Sequence, residues 1–265
     1  MHKVNSGENS LLISLVTVCY NSAETIADTI RCVAEQTYPN IEYIIIDGGS
    51  TDGTLDIIKQ YSKHVSVLIS EPDSGIYDAM NKGWKKATGD VVAFLNSDDS
   101  YMNNAVVQEV AQLMADKNVD ACHSDLIYVD RIDTNKVIRY WQGRDHKSGD
   151  CLKGWMPAHP TFFARRSLFE RLGGFDTRYR KQADFELAVR WFELHKIRSH
   201  YVPKIWTRMR TGGASNSSLC NIIKGNLEAY HACKALGFKL SPFFMIQKIL
   251  SRFPQYWRKP AMPVR

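Results

Sequence analysis

No stretch of this chain approaches the roughly 20 consecutive apolar residues that a bilayer-spanning helix requires, so no membrane span is expected. The opening residues, Met1-His2-Lys3-Val4-Asn5-Ser6, lack the apolar core of a secretion signal. There is no CxxC pair, because Cys19, Cys32, Cys122, Cys151, Cys220 and Cys233 are scattered. That pattern fits reduced cytosolic thiols better than a disulfide framework or a zinc site. Internal repeats, low-complexity segments and obvious linkers are missing too. Acidic residues are absent after Glu228, whereas Lys234, Lys239, Lys248, Arg252, Arg258, Lys259 and Arg265 follow it. The net charge of +6 therefore belongs to the C-terminal tail, and the rest of the chain is close to neutral. Such a distribution argues against a nucleic-acid-binding surface and for one local anionic partner.

What is present is a length of 265 residues, enough for one large domain or two fused halves. The first part alternates strand and helix signals. Residues 12–20, 41–46, 65–69 and 91–95 read as strands, and 121–126 as a further one. Between them, Asn21-Ser22-Ala23-Glu24 resembles a capping box opening a helix to about residue 36. Further helices are expected at 54–61, at 76–87 (closed by Gly89) and near 104–115. Alternation of this kind implies an α/β fold with a doubly wound, mainly parallel sheet. Beyond residue 126 the pattern is mixed, with an edge strand at 137–141, a strand around Phe162-Phe163, and helices at 166–172 and 183–195. The expected division is 1–126, 127–215 and a helical basic tail at 216–265.

The most informative stretch is Val91-Val92-Ala93-Phe94-Leu95 followed by Asn96-Ser97-Asp98-Asp99. Five apolar residues read as a strand buried on both faces, and two adjacent carboxylates close it. Ligands bind open α/β sheets at the carboxyl ends of the strands, and hard divalent cations take carboxylate oxygens shared with phosphates. A metal-bound nucleotide is one reading; a cap for the helix that follows is the other. Asp47 and Asp73 also follow strands at the same edge. An Asp ending an apolar strand has no local partner, so Asp47 is a candidate ligand, whereas Asp52 within Ser50-Thr51-Asp52-Gly53-Thr54 serves as a helix cap.

In these stretches the chain resembles the family 2 glycosyltransferases with the GT-A fold. The matching motifs are Thr17-Val18-Cys19-Tyr20-Asn21, Ile46 through Thr54, Glu71 through Asn81, and Gly89 through Asp99. His159-Pro160-Thr161-Phe162-Phe163 and Gly173-Gly174-Phe175-Asp176 complete an ordered set over residues 12–215. The resemblance is greatest to the bacterial branch that builds surface polysaccharides on lipid carriers. It implies a nucleotide-sugar donor, a saccharide acceptor carried on a polyprenyl diphosphate, and Mg²⁺ or Mn²⁺. It also implies a mixed acceptor-side half after the mainly parallel one. Val18 and Asp47 would line the nucleotide pocket, Asp98 would accept from the ribose, and Asp99 would hold the metal. His159 would lie near the diphosphate and acceptor, and Asp184 would be the base. Two departures stand out: Ala183 where the family usually has Glu before the base, and Gly48 where many members carry an Asp that recognises uracil. UDP specificity is therefore not implied.

Chemistry asks for the same parts. Charge builds on the leaving diphosphate and calls for a Lewis acid, and the acceptor hydroxyl needs a base. One base opposite the leaving group gives a single displacement with inversion. Asp184 could instead be a first-turn acid favoured by the helix dipole, and His159 a structural loop residue. Arg208 and Arg210 precede Gly212-Gly213, a loop able to fold over a diphosphate or simply solvated. A sugar-1-phosphate nucleotidyltransferase would share fold and metal but wants a glycine-rich basic loop after the first strand, where Cys19-Tyr20-Asn21-Ser22 stands. A haloacid-dehalogenase-type phosphatase would need Asp in place of Ser50. An inactive membrane-associated homologue remains the non-enzyme alternative. In the tail, Phe243, Ile246, Ile249, Leu250 and Phe253 form one apolar stripe after Ser241-Pro242, with Gln247, Lys248, Ser251 and Arg252 opposite. Together with Tyr256-Trp257-Arg258-Lys259, this predicts peripheral attachment to an anionic surface, the inner face of the cytoplasmic membrane. A helix packed on the body with its basic face in water is the alternative.

Overall fold

The structure is a computed structural model that describes residues 10–212, 219–258 and 260. Four strands, β1 (Ile13–Cys19), β2 (Ile41–Asp47), β3 (Val67–Ser70) and β4 (Val91–Phe94), are parallel in the order β3-β2-β1-β4. Register aligns their carboxyl ends, with Cys19 beside Asp47 and Asp47 beside Ser70. The remaining strands are β5 (Asp99–Tyr101), β6 (Ala121–Val129), β7 (Val137–Trp141), β8 (Phe163–Arg165) and β9 (Ser199–Arg210). They extend one nine-stranded sheet through β8, β6, β9 and β5, with β7 pairing only β6. This second part is mixed: β8 is antiparallel to both β4 and β6, β9 is parallel to β6, and β5 is antiparallel to β9. Residue 126, the expected boundary, falls inside β6.

Strand alternation feeds two cores, one per face. Ile13, Leu15 and Tyr43 pack with α1 (Ile26–Ala34), α2 (Thr54–Gln60) and α4 (Val106–Met114) on one side. Val16, Ile44, Val92 and Phe94 pack on the other with α3 (Ile76–Lys86), α5 (Arg166–Leu172) and α6 (Ala183–Ala188). Two tail helices, α7 (Leu219–Ala235) and α8 (Phe244–Leu250), join this second face, and α9 (Pro254–Trp257) follows. Helices on both faces, a parallel first half and a mixed second half are as expected.

Four local expectations are corrected. Asn21-Glu24 is not a capping box. α1 starts later, with the Ser22 carbonyl accepting from Ile26 N at 2.9 Å, and Ser22 Oγ pairs instead with Ser97 Oγ at 2.8 Å. Gly89 does not cap α3 but lies against β1, where an added Cβ would stand 2.6 Å from the Leu12 carbonyl. The helix expected to run to residue 195 changes after α6 into wider π turns, His195 N bonding to Arg190 O at 3.1 Å. The widening keeps Trp191, Phe192 and Glu193 all buried and leaves Leu194 exposed. In the tail it is the alternative, a packed helix with its basic face in water, that is corrected. α8 docks through Phe244 and Lys248, so Lys248 is 1% exposed, while Phe243, Ile246, Ile249, Leu250 and Phe253 face outward. Neither the stripe nor the whole basic face lies where a simple amphipathic helix on the body would put it.

Candidate active site

Open α/β sheets take ligands at the carboxyl edge of their parallel strands, and the acidic end of β4 lies along that edge. After Leu95 the chain turns through Asn96, Ser97 and Asp98, and Asp99 begins β5 opposite Met209, between Arg208 and Arg210. Thr29 on α1 donates to the Asp99 carbonyl at 2.8 Å, which seats the turn. The Asp99 side chain is 1% exposed. Its Oδ2 accepts from Asn96 Nδ2 at 3.1 Å, whereas Asp99 Oδ1 and Asn96 Oδ1 are buried without a partner among the described residues. Burial and the Asp98 charge push the Asp99 carboxyl well above the usual carboxylate range, against opposition from Asn96 and Arg210. Buried oxygen acceptors lacking donors are costly unless a cation or proton meets them. This donor set fits a hard divalent cation.

The arginines are not loop residues. Both lie in β9; Arg210 is ion-paired to Asp28 on α1 at 2.5 Å, and Arg208 Nε lies 3.2 Å from Met102 Sδ. Gly213 lies outside the described residues. The strand places cationic charge beside the acidic turn: burial raises the Asp98 pKa, and Arg210 on β9, with Arg131 from outside that strand, opposes the rise.

Asp47 corrects a second expectation, because it has many local partners. It accepts from Gly49 N at 3.1 Å, Ser50 N at 3.0 Å, the Ser50 hydroxyl, and Ser70 Oγ at 2.7 Å. Burial would raise its pKa, but these bonds from Ser50, Ser70 and Gly49 hold it below the ordinary value. Asp47 is fully buried, so it shapes the turn rather than offering a free carboxylate. Asp52 lies in the turn before α2, whose N-cap is Gly53, and accepts from Thr54 N at 3.1 Å and from Ala23 N at 3.0 Å. Asp73 is bonded to Lys82 Nζ at 2.6 Å. It stands close enough to Gly48 that a Cβ there would come within 3.0 Å of its Oδ2. Val18 is a core residue packed with Val16 and Ile46, and presents little surface.

Across the edge, Asp184 sits in the first turn of α6. Its Oδ1 accepts from Tyr77 Oη at 3.0 Å and from Phe185 N at 2.8 Å. Asp184 shares a small pocket with His159, Phe162, Leu187 and Phe192. His159 stacks on Phe94 at 5.5 Å and meets Phe175 edge-on at 5.5 Å, and its buried Nε2 has no partner. Burial lowers its pKa, with Asp184 opposing, so the imidazole is neutral at pH 7. The structure thus brings His159 and Asp184 together, groups Asp98 and Asp99 with Arg208 and Arg210, and sets Asp47 and Asp73 at a third corner.

The sequence itself now decides between related enzymes. Residues 14–173 match the family model described as glycosyl transferase family 2. The chain belongs to that family. This glycosyltransferase is 30% identical over 210 residues to the PGL/p-HBAD biosynthesis glycosyltransferase of Mycobacterium bovis, covering 78% of this chain and 80% of that protein. It is 27% identical over 257 residues to the putative glycosyltransferase EpsE of Bacillus subtilis, covering 94% and 90%. Among solved structures, S. aureus TarS 1–349 in complex with UDP superposes with a TM-score of 0.64 at 18% identity, over 92% of this chain and 72% of that one. The mannosyltransferase PcManGT from Pyrobaculum calidifontis, in complex with GDP-Man and Mn²⁺, gives 0.62 at 19%, over 92% and 70%. Both support the GT-A fold.

Sequence reasoning missed three residues of the candidate site. Asn96 shares the acidic turn with an unpaired Oδ1. Tyr77 and Asn81 stand one turn apart on α3, and both reach the segment leading to Asp184. Asn81 accepts from Phe175 N at 2.9 Å and donates to Phe175 O at 2.8 Å, while the Tyr77 ring stacks on Phe175 at 5.5 Å. Their four-residue spacing within the Glu71–Asn81 motif was the available signal, since polar groups on an inward helix face need partners.

Proposed function

We propose that the chain transfers a sugar from a nucleotide-sugar to a hydroxyl of a saccharide, with inversion, in surface-polysaccharide biosynthesis. The observation that carries this reading is the pairing of unpartnered, buried Asp99 Oδ1 at the acidic turn with Asp184 in the pocket across the edge. Asp184 takes the acceptor hydroxyl's proton as attack proceeds, and Tyr77 holds the carboxylate's direction. His159, neutral and with a free Nε2, contacts the donor or acceptor between them. Asp99, with Asp98 and Asn96 beside it, would hold Mg²⁺ or Mn²⁺, which when bound stabilises charge on the leaving diphosphate. Asp47 and Asp73 frame the donor pocket by shaping the turn around Gly48, and Arg208 and Arg210 add positive charge at the acidic turn.

The acceptor is a saccharide on a polyprenyl diphosphate, met at the inner face of the cytoplasmic membrane. Support comes from the tail: Ile246 is 55% and Trp257 74% exposed, with Phe243, Ile249, Leu250 and Phe253 on the same outward side. Among the described residues no helix is long and apolar enough to cross a membrane. An outward apolar stripe with flanking aromatics and cations suits a peripheral seat on anionic lipid. Turnover of UDP-, GDP- and dTDP-sugars with Mg²⁺ or Mn²⁺ tests the central reading, comparing wild type with Asp99→Ala. Metal-dependent release of nucleoside diphosphate that Asp99→Ala abolishes is expected; release that survives unchanged in the variant removes Asp99 from the site.

A further inference from the structure

Lys248 is the most deeply buried amine among the described residues, and the catalytic reading above gives it no task. It is 1% exposed on a helix whose exposed residues, Gln247 apart, are apolar. The body admits it at Gly154, where a Cβ would lie 2.6 Å from the Lys248 Cβ. Its Nζ donates to Gln182 Oε1 at 2.5 Å and stands 3.7 Å from the Phe185 ring centroid. Gln182 and Phe185 bracket Asp184 in sequence. Gln182 also starts the helix, its carbonyl accepting from Glu186 N at 2.9 Å. One amine from the tail therefore grips both sides of the base's own turn.

The titratable groups facing it are Arg252 one turn further along the tail, Asp184 on α6 and the Cys233 thiol on α7. Burial and Arg252 bring the amine down to about 7, against Asp184 and Cys233. No ion pair holds it among the described residues. A buried cation without a counter-ion lowers stability, and a hydrophobe of similar length would pack there at less cost. A lysine in this place is therefore poorly explained by stability alone.

We propose that Lys248 is a positioning residue for Asp184, fixing the first turn of α6 through Gln182 and Phe185 and so making the base depend on a docked tail helix. This rests on Asp184 being the base. The test is Lys248→Met in the full chain, with kcat and donor KM read from nucleoside diphosphate release. The donor is whichever UDP-, GDP- or dTDP-sugar supports turnover with Mn²⁺, and chemical denaturation is run alongside. The expected result is a kcat lower by about 10- to 100-fold with donor KM unchanged, in a protein at least as stable as wild type. Gln182→Leu should lose a similar factor, and the double variant should lose little more. Wild-type kcat in Lys248→Met, or additive losses in the double variant, overturns the proposal. So does a rate loss that only follows lost stability. Asp184→Asn, run in parallel, separates the two levels. If it transfers normally, the base assignment fails; if it is slow while Lys248→Met is fast, only the positioning role fails.

Discussion

The Tyr77 hydroxyl donates a 3.0 Å hydrogen bond to Asp184 across 107 residues of sequence. It joins a helix that follows the first parallel strands to the turn that carries the proposed base. Burial and the Asp184 charge hold the phenol well above its usual pKa, so it remains a donor throughout the working range. Tyr77→Phe keeps the ring stacked on Phe175 and removes this bond together with the longer one to the Lys181 carbonyl at 3.3 Å. We expect about 1 kcal/mol lower stability and a several-fold lower kcat, with donor affinity unchanged by calorimetry. A loss confined to donor affinity would put Tyr77 in a different role.

Gly174 tests the same junction sterically. A Cβ there would collide with Asn81 Oδ1 and Trp84 Nε1, which hold the Phe175 segment against α3. Gly174→Ala should cost about 1–3 kcal/mol by overpacking, read as a shifted denaturation midpoint, and should slow transfer as Asp184 moves. An unshifted midpoint would mean that α3 can retreat freely.

Lys248 gives a pH dependence with a defined sign. Its amine titrates near 7 when folded and at an ordinary 10.5 when unfolded, so the unfolded chain binds the extra proton between those values. Stability from this group therefore rises as pH climbs from about 7 to 10.5, by at most about 5 kcal/mol. Urea denaturation at pH 6.5 and pH 9 should show the gap between Lys248→Met and wild type narrowing with pH. A gap that stays constant would mean the amine is hydrated when folded.

The membrane face can be tested without disturbing the body. Deleting residues 238–265 would also remove Phe244 and Lys248 from the core, so outward substitutions are the sharper probe. Ile249→Glu with Leu250→Glu should change stability by only about 0.5 kcal/mol at each exposed site. The pair should abolish co-sedimentation with phosphatidylglycerol vesicles. Sedimentation equal to wild type would assign the stripe to another partner.

Much of this was legible in the chain because local signals and global demands agree in the first half. The runs at Ile13–Cys19 and Val91–Phe94 are apolar on both faces and could only be central strands. The acidic turn at Asp98-Asp99 was visible for the same reason. Asp47 was misjudged because the turn after it folds back, so that Gly49 N, Ser50 N and the Ser50 hydroxyl all donate to it, and only the Ser70 bond comes from a neighbouring strand. Arg208 and Arg210 read as loop residues because β9 gains its order from pairing with β5 and β6 rather than from an apolar run. The tail's apolar stripe was legible, but the docking of its opposite, basic side on the body was not. Burial of Lys248 depends on the missing Cβ of Gly154 and on Gln182, both far away in sequence.

The central claim is that Asp184 serves the acceptor step while Asp99 serves the donor. Asp184→Asn measures it most directly: donor affinity with Mn²⁺ by calorimetry, and sugar transfer on the same preparation. The account predicts unchanged metal-dependent donor binding with transfer lowered by about 10²–10⁴-fold. A folded Asp184→Asn variant that transfers sugar at the wild-type rate would contradict it and turn attention to His159.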